Sequence, residues 1–350
     1  MTRTFVVRLD AAGDVLLAGP AVRAAAAGSA SLTLLTGPRG ADAARLLPDV
    51  DEVLVWACPW IEPSPAPVDA DDVSGLVRSI GGRGFDRALV LTSFHQSPLP
   101  TALALRLAGV PWVGAISEDY PGSLLDLRHR VDDDLPEAER ALSLALAAGF
   151  SLPADDDGSL QVRRPLPDVS GLLPDGDFVV LHPGTSVPAR AWPAERFAAT
   201  ARLLTDLGHE VVVTGAPSET GLTRAVTAGT PARDLGGRTS LAELAAVLGA
   251  AAAVVVGNTG PAHLAAAVGT PIVSLFAPTV PSARWAPYRV PVVLLGDQQA
   301  PCRDSRVTQC PFPGHPCLAS VSPHEVVEAV QRLTGVDRLA PVAGPSRRSA

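Results

Sequence analysis

Short, almost wholly apolar runs alternate along the chain with stretches of helical periodicity. In the first half, TFVVRL, SLTLLT, EVLVW and DRALVLTS read as strands. Helical patterns fall over residues 14–27, 41–47 and 73–80. Strands separated by helices in this way are the grammar of parallel βαβ units. From about residue 152 to residue 174 the periodicity dissolves into Pro, Gly and Asp, which predicts an interdomain linker. The same grammar then restarts. DFVVLH, EVVVTG, AAVVVG, PIVSLF and VPVVLL read as strands, with helices over 193–207, 219–228, 240–248, 261–268 and 323–333. The pattern predicts an α/β protein with two Rossmann-like domains, residues 1–160 and 175–335, and a small-residue tail over 336–350 that reads as disordered. Ligands of such folds sit outside the carboxyl ends of the strands, so the loops that follow strands are where chemistry is sought.

Composition narrows the chemistry. Hydrophobic residues make up 47% of the 350 positions but aromatic ones only 4%, so the cores must be aliphatic. The net charge of −8 and the absence of a basic stripe exclude nucleic-acid binding of the usual electrostatic kind. Every basic side chain apart from histidine is Arg. Without Lys there is no Schiff base, no pyridoxal phosphate lysine and no Walker-type phosphate loop. No run approaches the roughly 20 apolar residues of a membrane span. The opening MTRTFVVRLD lacks the pattern of a signal peptide, so a cytoplasmic location is expected. Of the four Cys, three (Cys302, Cys310, Cys317) lie in CRDSRVTQCPFPGHPC. Their spacing makes no CxxC pair. Structural or incidental thiols are expected, with zinc held through His315 as the other reading.

Three loops stand out. In RLDAAGDVLL, Gly13 permits a tight turn and Asp14 opens a helix, either as an ordinary N-cap or as a carboxylate held at the cleft as a general base. In LHPGTSVPARAWP, Thr185 and Ser186 offer hydroxyls to phosphate oxygens and Arg190 offers a cation; a plain βα loop with a solvated Arg is the bland alternative. In VVVGNTGPAHLAAA, a strand delivers Asn258, Thr259 and Gly260 to the first turn of a helix, with His263 one turn in. A helix start with free N–H groups, a hydroxyl and a glycine is an anion site. Asn258 is the only Asn in the chain. Weaker candidates are Glu219 as a ribose contact, and Thr239 and Leu241 as walls of a base pocket. His95 and Gln96 read as loop polarity, with an acceptor-facing place as the alternative. The acidic triplets at 69–71, 132–134 and 155–157 read as solvated surface.

Taken together, R-x-D-x-x-G-D-V-L-L, H-P-G-T-S before R-A-W-P-x-E-R-F, T-G-A-P-x-E, G-N-T-G-P-x-H-L-A-A-A-x-G-T-P and L-F-x-P-T resemble the heptosyltransferases, glycosyltransferase family nine, from about residue 5 to residue 333. The resemblance implies a GT-B fold, an inverting mechanism, no catalytic metal and no cofactor. It implies Asp14 as the base toward an acceptor held by the N-terminal half, and a nucleotide-diphosphate sugar held by the C-terminal half. Thr185, Ser186 and Arg190 would meet the donor phosphates, Glu219 the ribose, and Thr259, Gly260 and His263 the second phosphate loop. The acceptor would be a glycan or lipid-linked glycan, the latter bringing peripheral contact with the inner face of the membrane. Two positions depart from the family's pattern: Arg190 stands where Lys is usual, and Asn258 where Asp is frequent. A sugar-nucleotide epimerase, which needs no acceptor, and a non-catalytic nucleotide-sugar binder are the rival readings. A retained acceptor-side carboxylate argues against the binder.

Overall fold

A computed structural model describes residues 2–131 and 134–335. The first sheet is built from β1 (Arg3–Arg8), β2 (Ser31–Thr36), β3 (Glu52–Val55), β4 (Arg87–Val90), β5 (Trp112–Ile116) and β6 (Leu127–His129), in the order β3-β2-β1-β4-β5-β6. The second contains β7 (Phe178–His182), β8 (Glu210–Val213), β9 (Arg233–Asp234), β10 (Ala253–Gly257), β11 (Ile272–Leu275) and β12 (Val292–Leu295), in the order β12-β11-β10-β7-β8-β9. Within each half the strand sequence is therefore 3-2-1-4-5-6, and all pairings between described strands are parallel. The order reverses between β1 and β4 in one half and between β7 and β10 in the other. These switch points leave a crevice at the carboxyl ends of the strands, where doubly wound folds bind ligands.

Central strands such as β7 and β10 are buried along their whole length, which is why their sequences read as unbroken apolar runs rather than alternating ones. Two apolar clusters pack against single sheets, one in each half. A third runs through both halves, joining Val15, Leu16 and Leu17 to Ala262, Leu264 and Leu248. The halves thus share a core as well as a cleft. Helix ends are set locally: Ser240 and Ser322 each cap the helix that follows, accepting from the N–H of Glu243 and Glu325, each at 3.2 Å. Asp69, in the first acidic triplet, caps the helix Ala70–Gly81 in the same way at the surface. Among the described residues no helix is long and apolar enough to cross a membrane.

Several expectations are corrected. The pattern over 14–27 is two helices, Ala12–Leu17 and Gly19–Ala27, separated at Ala18 because Gly19-Pro20 follows and Pro20 has no N–H to continue the ladder. The cap of the first is Ala11, so Asp14 is the third helical residue and not an N-cap. Strands β5, β6 and β9 and the helices Leu99–Leu107 and Glu137–Ala147 were not anticipated. Gly114 interrupts the apolar run of β5 and lies under the Trp112 ring, while β6 and β9 are short edge strands rich in polar residues. Asp132 and Asp133, and the tail 336–350, lie outside the described residues. The segment after residue 152, read as a linker, packs against the protein: Leu160, Val162 and Val169 are buried, and the Arg163 N–H donates to the Leu46 carbonyl at 2.7 Å.

Nor is the 155–157 triplet simply solvated. Asp156 takes two hydrogen bonds from the buried Arg23, at 2.6 and 2.8 Å. Those bonds hold its carboxyl below the usual carboxylate range. Its stabilising contribution is therefore present above the carboxyl's unfolded value and is lost as pH falls through the lower folded one. Arg23→Ala should cost on the order of 2–3 kcal/mol at neutral pH by stranding the carboxylate. In urea unfolding the deficit should shrink as the medium is acidified. A deficit that does not vary with pH would remove the ion pair as its cause.

Candidate active site

The switch points of both sheets open on one cavity of about 330 Å³. From the first half it is lined by the start of the helix after β1, with Gly13 and Asp14, and by the loop after β4, with Ser93, His95 and Gln96. The second half contributes Ser186 and Arg190 after β7, and Asn258, Thr259, Gly260 and His263 after β10. A second cavity of about 580 Å³ lies toward the first half and shares His95 and Gln96 with the first. The two residues read as loop polarity thus stand on the wall between two chambers.

The halves meet closely at this point. The helix Ala12–Leu17 abuts the start of the helix Gly260–Val268. A methyl on Gly13 would come within 2.9 Å of His263 Cδ2 and 3.3 Å of Gly260 Cα. Only a residue without Cβ fits there, and its neighbour Asp14 is carried to the cavity. One quarter of the Asp14 side chain is exposed, and its Oδ1 accepts from Arg8 Nη2 at 3.3 Å.

Facing Asp14 across the cavity is the loop after β10, with Asn258, Thr259 and Gly260. Thr259 occupies the N-cap of Gly260–Val268, its hydroxyl makes no capping hydrogen bond, and the residue lines the cavity. Asn258 is buried and its Nδ2 has no hydrogen-bond partner among the described residues; the same holds for His263 Nδ1. Burial, followed by the charge of Arg190, pushes His263 down to about 4, so at neutral pH it is an uncharged imidazole with one nitrogen able to donate. Arg190 ends the short turn Pro188–Arg190, and its Nε donates to Thr279 Oγ1 at 3.3 Å. Burial lowers its guanidinium from the usual value, and the Asp14 charge opposes that fall.

Four candidates fall outside the residues that line the cavity. Thr185 folds its hydroxyl back to the Val187 N–H at 3.3 Å. Glu219 accepts from the Ala216 N–H at 2.7 Å and rests against Gly184, at the end of the same sheet. Thr239 is half-buried, and the half-buried Leu241 packs against the shared core. In the cysteine-rich loop, His315 Nε2 is engaged by the Ala189 carbonyl at 3.0 Å. Among the described residues no three His, Cys, Asp or Glu side chains converge to hold a metal.

Sequence reasoning missed Arg306. It comes from the cysteine-rich loop, lines the cavity and meets His95 Nε2 at 3.0 Å. Partial burial and then Arg306 push His95 down to about 4, so its Nε2 can accept from Arg306. Arg306 and Arg284 also flank Phe94, at 5.1 and 4.1 Å from its ring centre, so the second half grips the first through cation–π contacts. Nothing in a polar loop marks such a residue in advance. Arg8 did carry a signal, as a charge ending an apolar strand.

The model of a protein family described as glycosyltransferase family 9 (heptosyltransferase) matches residues 73–315. No curated protein matches the sequence. Among solved structures, a family 9 glycosyl transferase from Veillonella parvula shares 20% identity with a TM-score of 0.76, over 95% of this chain and 97% of that one. An E. coli ADP-heptose lipopolysaccharide heptosyltransferase II gives 20% and 0.72 over 95% and 98%. The E. coli heptosyltransferase WaaC solved with ADP gives 19% and 0.68 over 97% and 100%. These are GT-B proteins, and the two-sheet architecture here is theirs.

If the Gly13 approach sets how the halves sit, Gly13→Ala should destabilise the protein by about 1–3 kcal/mol through overpacking. Gly171→Ala, whose methyl would meet nothing within 4 Å, serves as the control in thermal unfolding. Equal stability of the two variants would show that the contact sets nothing.

Proposed function

The chain belongs to glycosyltransferase family 9, the heptosyltransferases, and on that footing we propose that it moves a heptose or related sugar from an ADP-linked donor to a hydroxyl of a glycan or glycolipid, with inversion and without a metal. One observation carries this reading: a carboxylate from the first half and a helix start without a side-chain cap from the second face one cavity. The relatives solved with ADP or named for ADP-heptose supply the donor class.

In this reading Asp14 removes the acceptor proton while the acceptor oxygen bonds to the anomeric carbon. The bond from that carbon to the diphosphate breaks in the same displacement, so configuration inverts. Charge then grows on the departing diphosphate. The Gly260 N–H at the start of Gly260–Val268, the Thr259 hydroxyl, the Arg190 guanidinium and a neutral His263 N–H are the groups available to receive it, since Pro261 has no N–H and that of Ala262 bonds to the Thr259 carbonyl. Ser186 and Arg306 line the same space. Asn258 offers a buried donor where an Asp would offer only acceptors, which suits an oxygen of the phosphate or sugar. The larger cavity beyond His95 is the place assigned to the acceptor. We place the activity in the cytoplasm, at the inner membrane face when the acceptor is lipid-linked.

Thermal unfolding against ADP-, UDP- and GDP-sugars tests the donor. ADP-heptose at about a hundred times its Kd should stabilise by about 2.7 kcal/mol, and a response confined to UDP- or GDP-sugars would overturn the choice. Asp14→Ala should cut transfer by roughly 10²–10⁴ while the stabilisation by ADP persists. Near-normal turnover in that variant would remove Asp14 from the chemistry. Arg190→Ala should lower the transfer rate by about 10²–10³, and an undiminished rate would dismiss it as a charge stabiliser.

A further inference from the structure

Arg8 closes β1, and its side chain is only 2% exposed. Its guanidinium reaches three carboxylates: Asp10 at 3.1 Å, Asp14 at 3.3 Å and Glu137 at 3.8 Å. It also donates to Ser93 Oγ at 2.9 Å. Glu137 has one further cation near it, Arg140 at 4.0 Å, and neither of its oxygens has a hydrogen-bond partner among the described residues. Gln96 Nε2 donates to the Asp10 Oδ1, so Asp10 is already partnered where it borders the cavity. Such a group is a poor way to gain stability, since taking three carboxylates and a guanidinium out of water is costly. Of the three acids, Asp14 is the most open to the cavity, at 25% side-chain exposure against 10% for Asp10 and 1% for Glu137.

We infer that Arg8 is a positioning residue: held by Asp10, Ser93 and Glu137, it fixes Asp14 through Oδ1 and binds the charge of Asp14 to those of Asp10 and Glu137 as one electrostatic unit. The second oxygen of Asp14 is thereby left for the acceptor proton. This rests on Asp14 serving as the base. The other charged or titratable groups facing the unit are Arg140 from the helix Glu137–Ala147, Arg190 after β7, His263, Arg306 and His95.

The charge balance of the unit follows its geometry. Burial would lower the Arg8 guanidinium, but Asp10, Asp14 and Glu137 override it and hold it above its usual value. Burial raises Asp10; Arg8 opposes that rise and the Asp14 charge adds to it. Glu137 is raised by burial against the pull of Arg8 and Arg140. Two substitutions therefore move Asp10 in opposite directions. Asp14→Asn removes a like charge, so the Asp10 titration should fall. Arg8→Met removes the cation, so it should rise.

Carbon-13 NMR of the full chain labelled at the aspartate carboxyls, with Asp10 assigned through Asp10→Asn, reads these shifts without any substrate. Each should be about one pH unit. An Asp10 midpoint that does not move in Asp14→Asn overturns the unit. This arm decides the matter even if Arg8→Met does not fold. With ADP-heptose as donor, Arg8→Met should lower kcat for ADP release at least tenfold at unchanged KM, and Arg8→Lys, which keeps charge without the fork, should recover part of it. An unchanged kcat in Arg8→Met overturns the positioning role. If Asp14→Ala retains full turnover while Asp10 still shifts, the base reading fails and the electrostatic unit stands.

Discussion

The approach of Gly13 to Gly260 and His263 is the constraint from which the rest of the site follows. Two helix starts, one from each sheet, come together at a distance that only a missing side chain allows. That contact carries Asp14, one residue on, to the same space as the Thr259 cap and the Arg190 turn. It also joins the cores: the residues behind it, Val15 to Leu17 on one side and Ala262 and Leu264 on the other, belong to one apolar cluster. The cleft has a floor of close-packed aliphatic side chains, and packing of that kind resists gradual deformation.

Around this floor the charges are graded by burial. Arg8 is sunk among acids, Arg190 is partly buried and tied to Thr279, and Arg306 is exposed and reaches across to His95 and Phe94. Two imidazoles are held neutral beside arginines, His263 by full burial and His95, at the open edge of the cavity, by partial desolvation and Arg306. The cavity therefore offers hydrogen-bond donors of fixed orientation as well as charge, the combination that stabilises negative charge developing in a reaction.

Most of the architecture was legible because buried parallel strands are continuous apolar runs and their helices are punctuated by Gly, Pro and Ser. What escaped was of two kinds. Strand β5 is broken by Gly114, and β6 and β9 sit at sheet edges, where no apolar run is needed. Asp14, Ser186, Arg190 and the 258–263 loop were legible as a group because they follow strands. Glu137 and Arg306 were not, since they enter the site from a helix and a loop distant in sequence, and their local patterns resemble any solvated surface. Thr185 and Glu219 were singled out by position after strands, but local hydrogen bonds turn them to the Val187 and Ala216 N–H groups, and neither they nor Thr239 and Leu241 are among the residues that line this cavity.

The choice of Arg at position 190 has a consequence for the alkaline side of the working range. An ammonium in the same half-dry spot, near Arg306, would readily shed its proton, because burial and a neighbouring cation both favour the neutral amine. A guanidinium resists that loss across the whole range in which proteins survive. The cleft thus keeps its full positive complement in basic media, whatever the acidity of its surroundings on that side.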